Sequence, residues 1–263
     1  MKKLFLLLIL LFGMISCIPE DVNEVNGEDT KDPDEIVVFP DPGLEQCVRD
    51  ELQKKDGYLT HGDLRRIGSM NCSGRSISDL SGIENIPNLW KVFLSGNKIK
   101  DVTPLGKCVK LRELEISHNE IEDATPLENL VNLEKLIIQG NQITNIEFIR
   151  NMTVIERLYV DNNPIKLIPK FEKQLQLKSI SFGQCKLQDV VNIGQFSQVE
   201  WLMLYNNNIL NINEIKMLLN LRQTNIKNNC ITDFSPIDYL KENGSLTIVS
   251  GDSPEEQDYG KCE

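Results

Sequence analysis

Apolar residues return at an interval of 22 along most of this chain. Frames opening at Ile67, Leu89, Leu111, Leu133, Ile155, Leu177, Val199 and Leu221 follow one another without insertion. One frame reads Leu111-x-x-Leu114-x-Ile116-x-x-Asn119-x-Ile121, and the next puts Leu133, Leu136, Ile138, Asn141 and Ile143 at the same places. The second half of a frame spaces its apolar residues by three, as in Ile143, Ile146, Ile149, Met152 and Ile155. With Ala and Cys counted as apolar, only Gln174 and Thr224 break the pattern. Alternating inward residues, a turn and then a three-residue spacing predict a short strand followed by a 3₁₀ or extended return. A single coil cannot bury its own core, so the coils must stack and share one. At about 4.8 Å per strand, nine strands predict a curved rod roughly 40 Å long.

Polar positions repeat as strictly. Asn97, Asn119, Asn141, Asn163, Asn207 and Asn229 fall where each coil turns after its strand, and their amides suit the buried backbone groups of neighbouring coils. Gly96, Gly140 and Gly183 also fall in this turn, where glycine relieves backbone strain. Ahead of the frames, Asp41-Pro42 reads as a helix start, with Leu44, Cys47, Val48 and Leu52 on one face. Thr60 with Asp63 reads as a second, shorter start. Residues 36–66 therefore form a helical cap, residues 67–242 eight repeats, and residues 243–263 a ninth strand and closing tail in which Leu246 and Ile248 continue the frame.

This pattern resembles the bacterial leucine-rich repeats. The 22-residue length and segments such as Asp101-Val102-Thr103-Pro104-Leu105 are similar to the internalin-like branch. The resemblance implies an α/β solenoid: a horseshoe with parallel strands on its concave face and 3₁₀ or extended segments on its convex face. It also implies a surface protein that binds a protein partner through the strand face.

The first seventeen residues change the setting. Lys2 and Lys3, the apolar run Leu4 to Phe12 and Met14-Ile15-Ser16-Cys17 read as an export signal over residues 1–16, too short to span a bilayer as a mature helix. Met-Ile-Ser-Cys resembles the bacterial lipobox, which implies acylation of Cys17 and a cell-envelope protein held to a membrane outside the cytoplasm. Residues 17–35, with eight acids and one lysine after Cys17, read as a disordered tether. The net charge of −11, with no basic stripe, argues against nucleic-acid partners.

Export permits disulfides. Cys47 on the cap can meet Cys72 on the first strand, and Cys230 in the last repeat can meet Cys262 in the tail, so one bridge is expected at each end. Cys108 and Cys185 lie about four coils, near 19 Å, apart and are expected as buried free thiols. Catalysis has little to work with. His61 and His118 stand in different parts of the fold, and CxxC, HExxH and glycine-rich phosphate motifs are absent, so neither an enzyme, a metal site nor a cofactor is expected.

Strand alternation then names a binding surface. The outward concave positions include Phe93, Ile137, Arg157, Tyr159 and Asp161, and on one later strand Trp201, Met203 and Tyr205. Tyr159 should face Trp201 from two coils away across the small strand Ser179-Ser181-Gly183, making a shallow pocket walled by aromatics. Exposed apolar groups that the repeat does not require mark an interaction site, with Arg157 and Asp161 tuning association as rim charges. A carbohydrate-binding surface and an envelope scaffold are the alternatives to a protein receptor or adhesin.

Overall fold

The computed structural model describes residues 31–173 and 175–262. Among them, nine strands form one parallel sheet in chain order: β1 (Ser69–Asn71), β2 (Lys91–Phe93), β3 (Glu113–Glu115), β4 (Lys135–Ile137), β5 (Arg157–Tyr159), β6 (Ser179–Ser181), β7 (Trp201–Met203), β8 (Gln223–Asn225) and β9 (Ile248–Ser250). From β1 to β8 each residue pairs with the one 22 positions on, for example Leu114 with Leu136 and Leu136 with Leu158. The repeat length is thus the register of the sheet.

Each strand sends its middle residue into the core, and short 3₁₀ segments such as Leu105–Lys107, Thr125–Asn129 and Asn213–Met217 close the far side. Among its described residues, the coil after β5 has no such segment. Its Pro164 and Pro169 lack backbone N–H groups, and Ile168 and Phe171 are buried along an irregular return. The repeated apolar places are buried along the described solenoid, at about 1.5–3 kcal/mol of transfer energy per large side chain.

The asparagines form a ladder through this core. Asn97 Nδ2 donates to the carbonyls of Cys72 (2.9 Å) and Leu94 (2.8 Å), while its Oδ1 accepts from the Ile77 N–H (3.0 Å). The same bridging recurs at Asn119, Asn141, Asn163, Asn207 and Asn229. Cys185 occupies one rung. There the Ile165 N–H turns to the Asn163 carbonyl at 2.8 Å, and the thiol lies 3.6 Å from the Val160 carbonyl. Immediately before each rung a residue takes a left-handed backbone, Gly96, His118, Gly140, Asn162, Gln184, Asn206 and Asn228, and Gly74 does the same before Arg75 at the equivalent place of the first coil. Gly183 is therefore not the strained turn residue expected from the sequence; Gln184 is. His118 is explained as an exposed turn residue.

Both ends are closed. Helix α1 (Pro42–Leu52) is capped by Asp41, whose carboxylate accepts from the N–H groups of Gly43, Leu44, Ser78 and Asp79 and so joins the helix to the first coil. Burial opposes its charge, but those backbone donors hold its pKa below the usual value. Helix α2 (His61–Leu64) begins with the Thr60/Asp63 capping box. The cap starts earlier than residue 36. Gly62 and His61 N–H groups bind the Pro33 and Glu35 carbonyls, and Lys31 Nζ reaches Asn85, because unpaired backbone at α2 offers these residues partners. The residues read as an export signal, the expected lipidation site Cys17 and the expected tether as far as residue 30 lie outside the described residues.

Disulfides join Cys47 to Cys72 and Cys230 to Cys262, with Cα atoms 5.5 and 5.7 Å apart. Cys108 and Cys185 are buried thiols, each pushed up to about 12 by burial.

The last coil departs from the frame. Helix α3 (Ser235–Asn243) takes the place of the 3₁₀ segment, and β9 pairs with β8 at an interval of 25, Thr224 opposite Val249. Ile248 was expected to point inward. It is instead 54% exposed, and Val249 faces the core. Gln257 from the tail supplies the final rung, accepting from the Asn229 N–H and donating to the Gly251 carbonyl.

Candidate binding face

The register of the sheet arranges the concave residues in rows. Lys135, Arg157, Ser179, Trp201 and Gln223 form one, and Ile137, Tyr159, Ser181, Met203 and Asn225 the next. Because the serines of β6 are small, the large side chains of β5 and β7 stand over a hollow of about 640 Å³. Its walls are Arg157, Tyr159, Trp201 and Met203, its floor is Ser179, and its rim is Glu156, Lys178 and Glu200. Trp201 is 39% exposed, Met203 and Tyr159 are half-buried, and the Tyr159 hydroxyl lies 3.1 Å from Ser179 Oγ.

Four predicted residues thus meet at one place: Arg157, Tyr159, Trp201 and Met203. The other four do not line it. Ile137 is the register neighbour of Tyr159, one strand outside the hollow. Phe93 lies on β2 beneath Lys91, whose ammonium is 5.0 Å from the ring centre. Asp161 was expected as an exposed rim charge and is only 4% exposed. It accepts from the Ser181 hydroxyl, the Gly183 N–H (3.0 Å), the Tyr205 hydroxyl (3.0 Å) and Gln139 Nε2 (2.7 Å). A carboxylate held this way organises three coils and is not free to steer a partner.

Tyr205 is correspondingly committed. Its hydroxyl is spent on Asp161, and its ring lies where a side chain on residue 183 would be. That is the physical reason for Gly183: room for the ring and the carboxylate. Burial, and then the Asp161 charge, push the Tyr205 hydroxyl up to about 12.

The charged rim escaped the sequence reading, although its signal was present in the residue preceding each strand. Those positions pair along the edge: Arg112 with Glu134 (3.2 Å), Lys178 with Glu156 (2.6 Å) and Arg222 with Glu200 (3.3 Å). Gly68 heads the same row, and Trp90 follows it and covers it. No group of three or more His, Cys, Asp or Glu side chains among the described residues is placed to hold a metal. His61 is buried 3.6 Å from the Glu35 carboxylate. No described helix is long and apolar enough to cross a membrane.

Residues 87–129 and 131–173 match the family Leucine Rich repeats (2 copies). Among solved structures, the chain is similar to internalin C2 of Listeria monocytogenes at 27% identity and a TM-score of 0.74, over 81% of this chain and 94% of that one. It is also similar to the internalin InlF of the same organism at 28% identity and a TM-score of 0.67, over 81% of this chain and 69% of that one. No curated protein matches the sequence. Repeats, register and structural likeness agree on one architecture: the described chain is a leucine-rich-repeat solenoid similar to the internalins.

Proposed function

We propose that this protein is a recognition module held outside the cytoplasm by an acylated Cys17, receiving a segment of a partner protein in the hollow between β5 and β7. The observation that carries the reading is Trp201, exposed beside Met203 and Tyr159 at a place where the repeat requires no apolar side chain. Surfaces of this kind mark interaction sites, and tryptophan is prominent among residues that dominate binding energy. The two disulfides fit an oxidising compartment. Similarity to the internalins supports the same assignment.

Trp201→Ala is expected to weaken partner binding by about 2 kcal/mol or more, the usual threshold for a dominant contact, with unchanged thermal unfolding. The measurement is a titration against the partner recovered by crosslinking. Full affinity in a Trp201→Ala, Met203→Ala protein that unfolds normally would place the site elsewhere. The anchor is tested separately. Cys17→Ser should move the protein from the membrane fraction to the soluble fraction, and an unchanged distribution would remove the anchor from the account.

A further inference from the structure

The cations of the concave face and its rim divide into two groups. Lys91 bonds Glu113 (3.0 Å), Lys227 bonds Glu256 (2.7 Å), and Arg112, Lys178 and Arg222 are paired along the rim. Lys135 and Arg157 have no carboxylate partner among the described residues, although the chain carries a net charge of −11 and acids are plentiful. These two are register neighbours on β4 and β5, and Arg157 also forms a wall of the hollow. Glu113, the residue opposite Lys135 on β3, is engaged by Lys91 instead. Two adjacent cations without carboxylate partners, one of them lining the hollow with exposed Trp201 and half-buried Met203, combine a site for negative charge with a site for apolar surface.

From this we infer that the partner presents an acidic peptide segment: Asp or Glu side chains that bind Arg157 and Lys135, followed by a bulky apolar side chain that fills the hollow against Trp201 and Met203. The inference rests on the functional reading above and adds the chemistry of the occupant. Arginine offers a planar fork that a carboxylate meets with two parallel hydrogen bonds, so Arg157 fixes orientation and Lys135 adds a second point charge. Arg157 and Trp201 are two strands apart in one row, about 10 Å, a span of about two to four residues of extended peptide. Rows of strands continue on both sides of the hollow, so a segment can run through it, and side-chain carboxylates rather than a chain terminus are the ligand.

The test is selection of phage-displayed random peptides on the full chain, followed by titration of the enriched peptides as synthetic probes. Enriched sequences should carry Asp or Glu about two to four residues from Trp, Phe, Leu or Met. Lys135→Glu, Arg157→Glu should weaken them about tenfold or more, and raising the salt concentration should weaken the wild-type interaction. Peptides with Lys in place of the acids should regain binding to the charge-reversed protein, a rescue that a folding defect cannot produce. Enriched peptides without acids, or affinity indifferent to charge reversal while Trp201→Ala, Met203→Ala abolishes it, would overturn the acidic occupant and leave the hollow standing. Selection yielding no peptide that depends on either pair would overturn both. Sedimentation showing a dimer that dissociates on charge reversal would give this face to a second copy and overturn the proposal.

Discussion

Asn207→Ala is expected to cost about 3 kcal/mol of stability, read as a lower midpoint in urea unfolding, because it orphans at least two buried backbone groups at about 1–3 kcal/mol each. The amide of Asn207, 0% exposed, donates to the carbonyls of Phe182 (2.7 Å) and Leu204 (2.9 Å) and accepts from the Leu187 N–H (3.2 Å). Alanine reaches none of them. The Cys185 rung shows what compensation requires. The N–H that would have used an amide there finds the Asn163 carbonyl two residues back, in a coil bent by Pro164. The coil containing Leu187 has no such proline. A loss below about 1 kcal/mol, the worth of a single ordinary hydrogen bond, would show that the asparagines are not essential rungs.

Asp161→Ala is expected to cost a comparable amount, about 3 kcal/mol, since it strips one acceptor from four donors on three other coils and the turn beside them. It carries a second, independent readout. In the folded protein the Tyr205 proton is held more tightly than its ordinary pKa of 10.0 allows, by burial first and by the Asp161 charge second. A raised folded pKa means that this contribution to stability is complete below pH 10 and is lost as pH climbs towards 12. Removing Asp161 should lower the Tyr205 titration midpoint, followed by tyrosinate absorbance, while burial keeps it above the ordinary value. A midpoint unmoved by Asp161→Ala would separate the two residues and contradict the hydrogen bond.

Much of the fold was legible because the solenoid repeats its physics every 22 residues. Leu136 and Leu158 stack because the same apolar place recurs, and Asn141 and Asn163 because the same backbone groups need partners. The caps were readable from local chemistry, Asp41 and Thr60 being helix starts in their own right. The disulfides follow from a cysteine on each cap facing one in the adjacent coil.

What escaped was what one coil does to another's exceptions. Ile248 was misassigned because α3 stands where a 3₁₀ segment was expected, and an α-helix, rising about 1.5 Å per residue against about 2.0 Å, needs more residues to cover the same span. Three extra residues shift Val249 into the core position. Asp161 occupies a place that elsewhere holds Ser95 or Gln139, and its strand gives no hint of burial. The cover comes from Tyr205, two coils away, which only the assembled sheet brings across. The hollow itself was partly legible: Tyr159, Trp201 and Met203 could be placed by counting, whereas the unpaired state of Lys135 and Arg157 depends on where neighbouring carboxylates point.

The partner is proposed to lie on the concave face between β5 and β7. The most direct test is a photoreactive residue placed at Ser179, on the floor of the hollow, and separately at Leu167, exposed on the coil after β5 away from the strands, followed by illumination of intact cells. A covalent adduct with one partner protein is expected from position 179, reduced by Trp201→Ala, and none from position 167. An adduct from position 167 with none from position 179, in proteins that unfold normally, would contradict this placement of the partner.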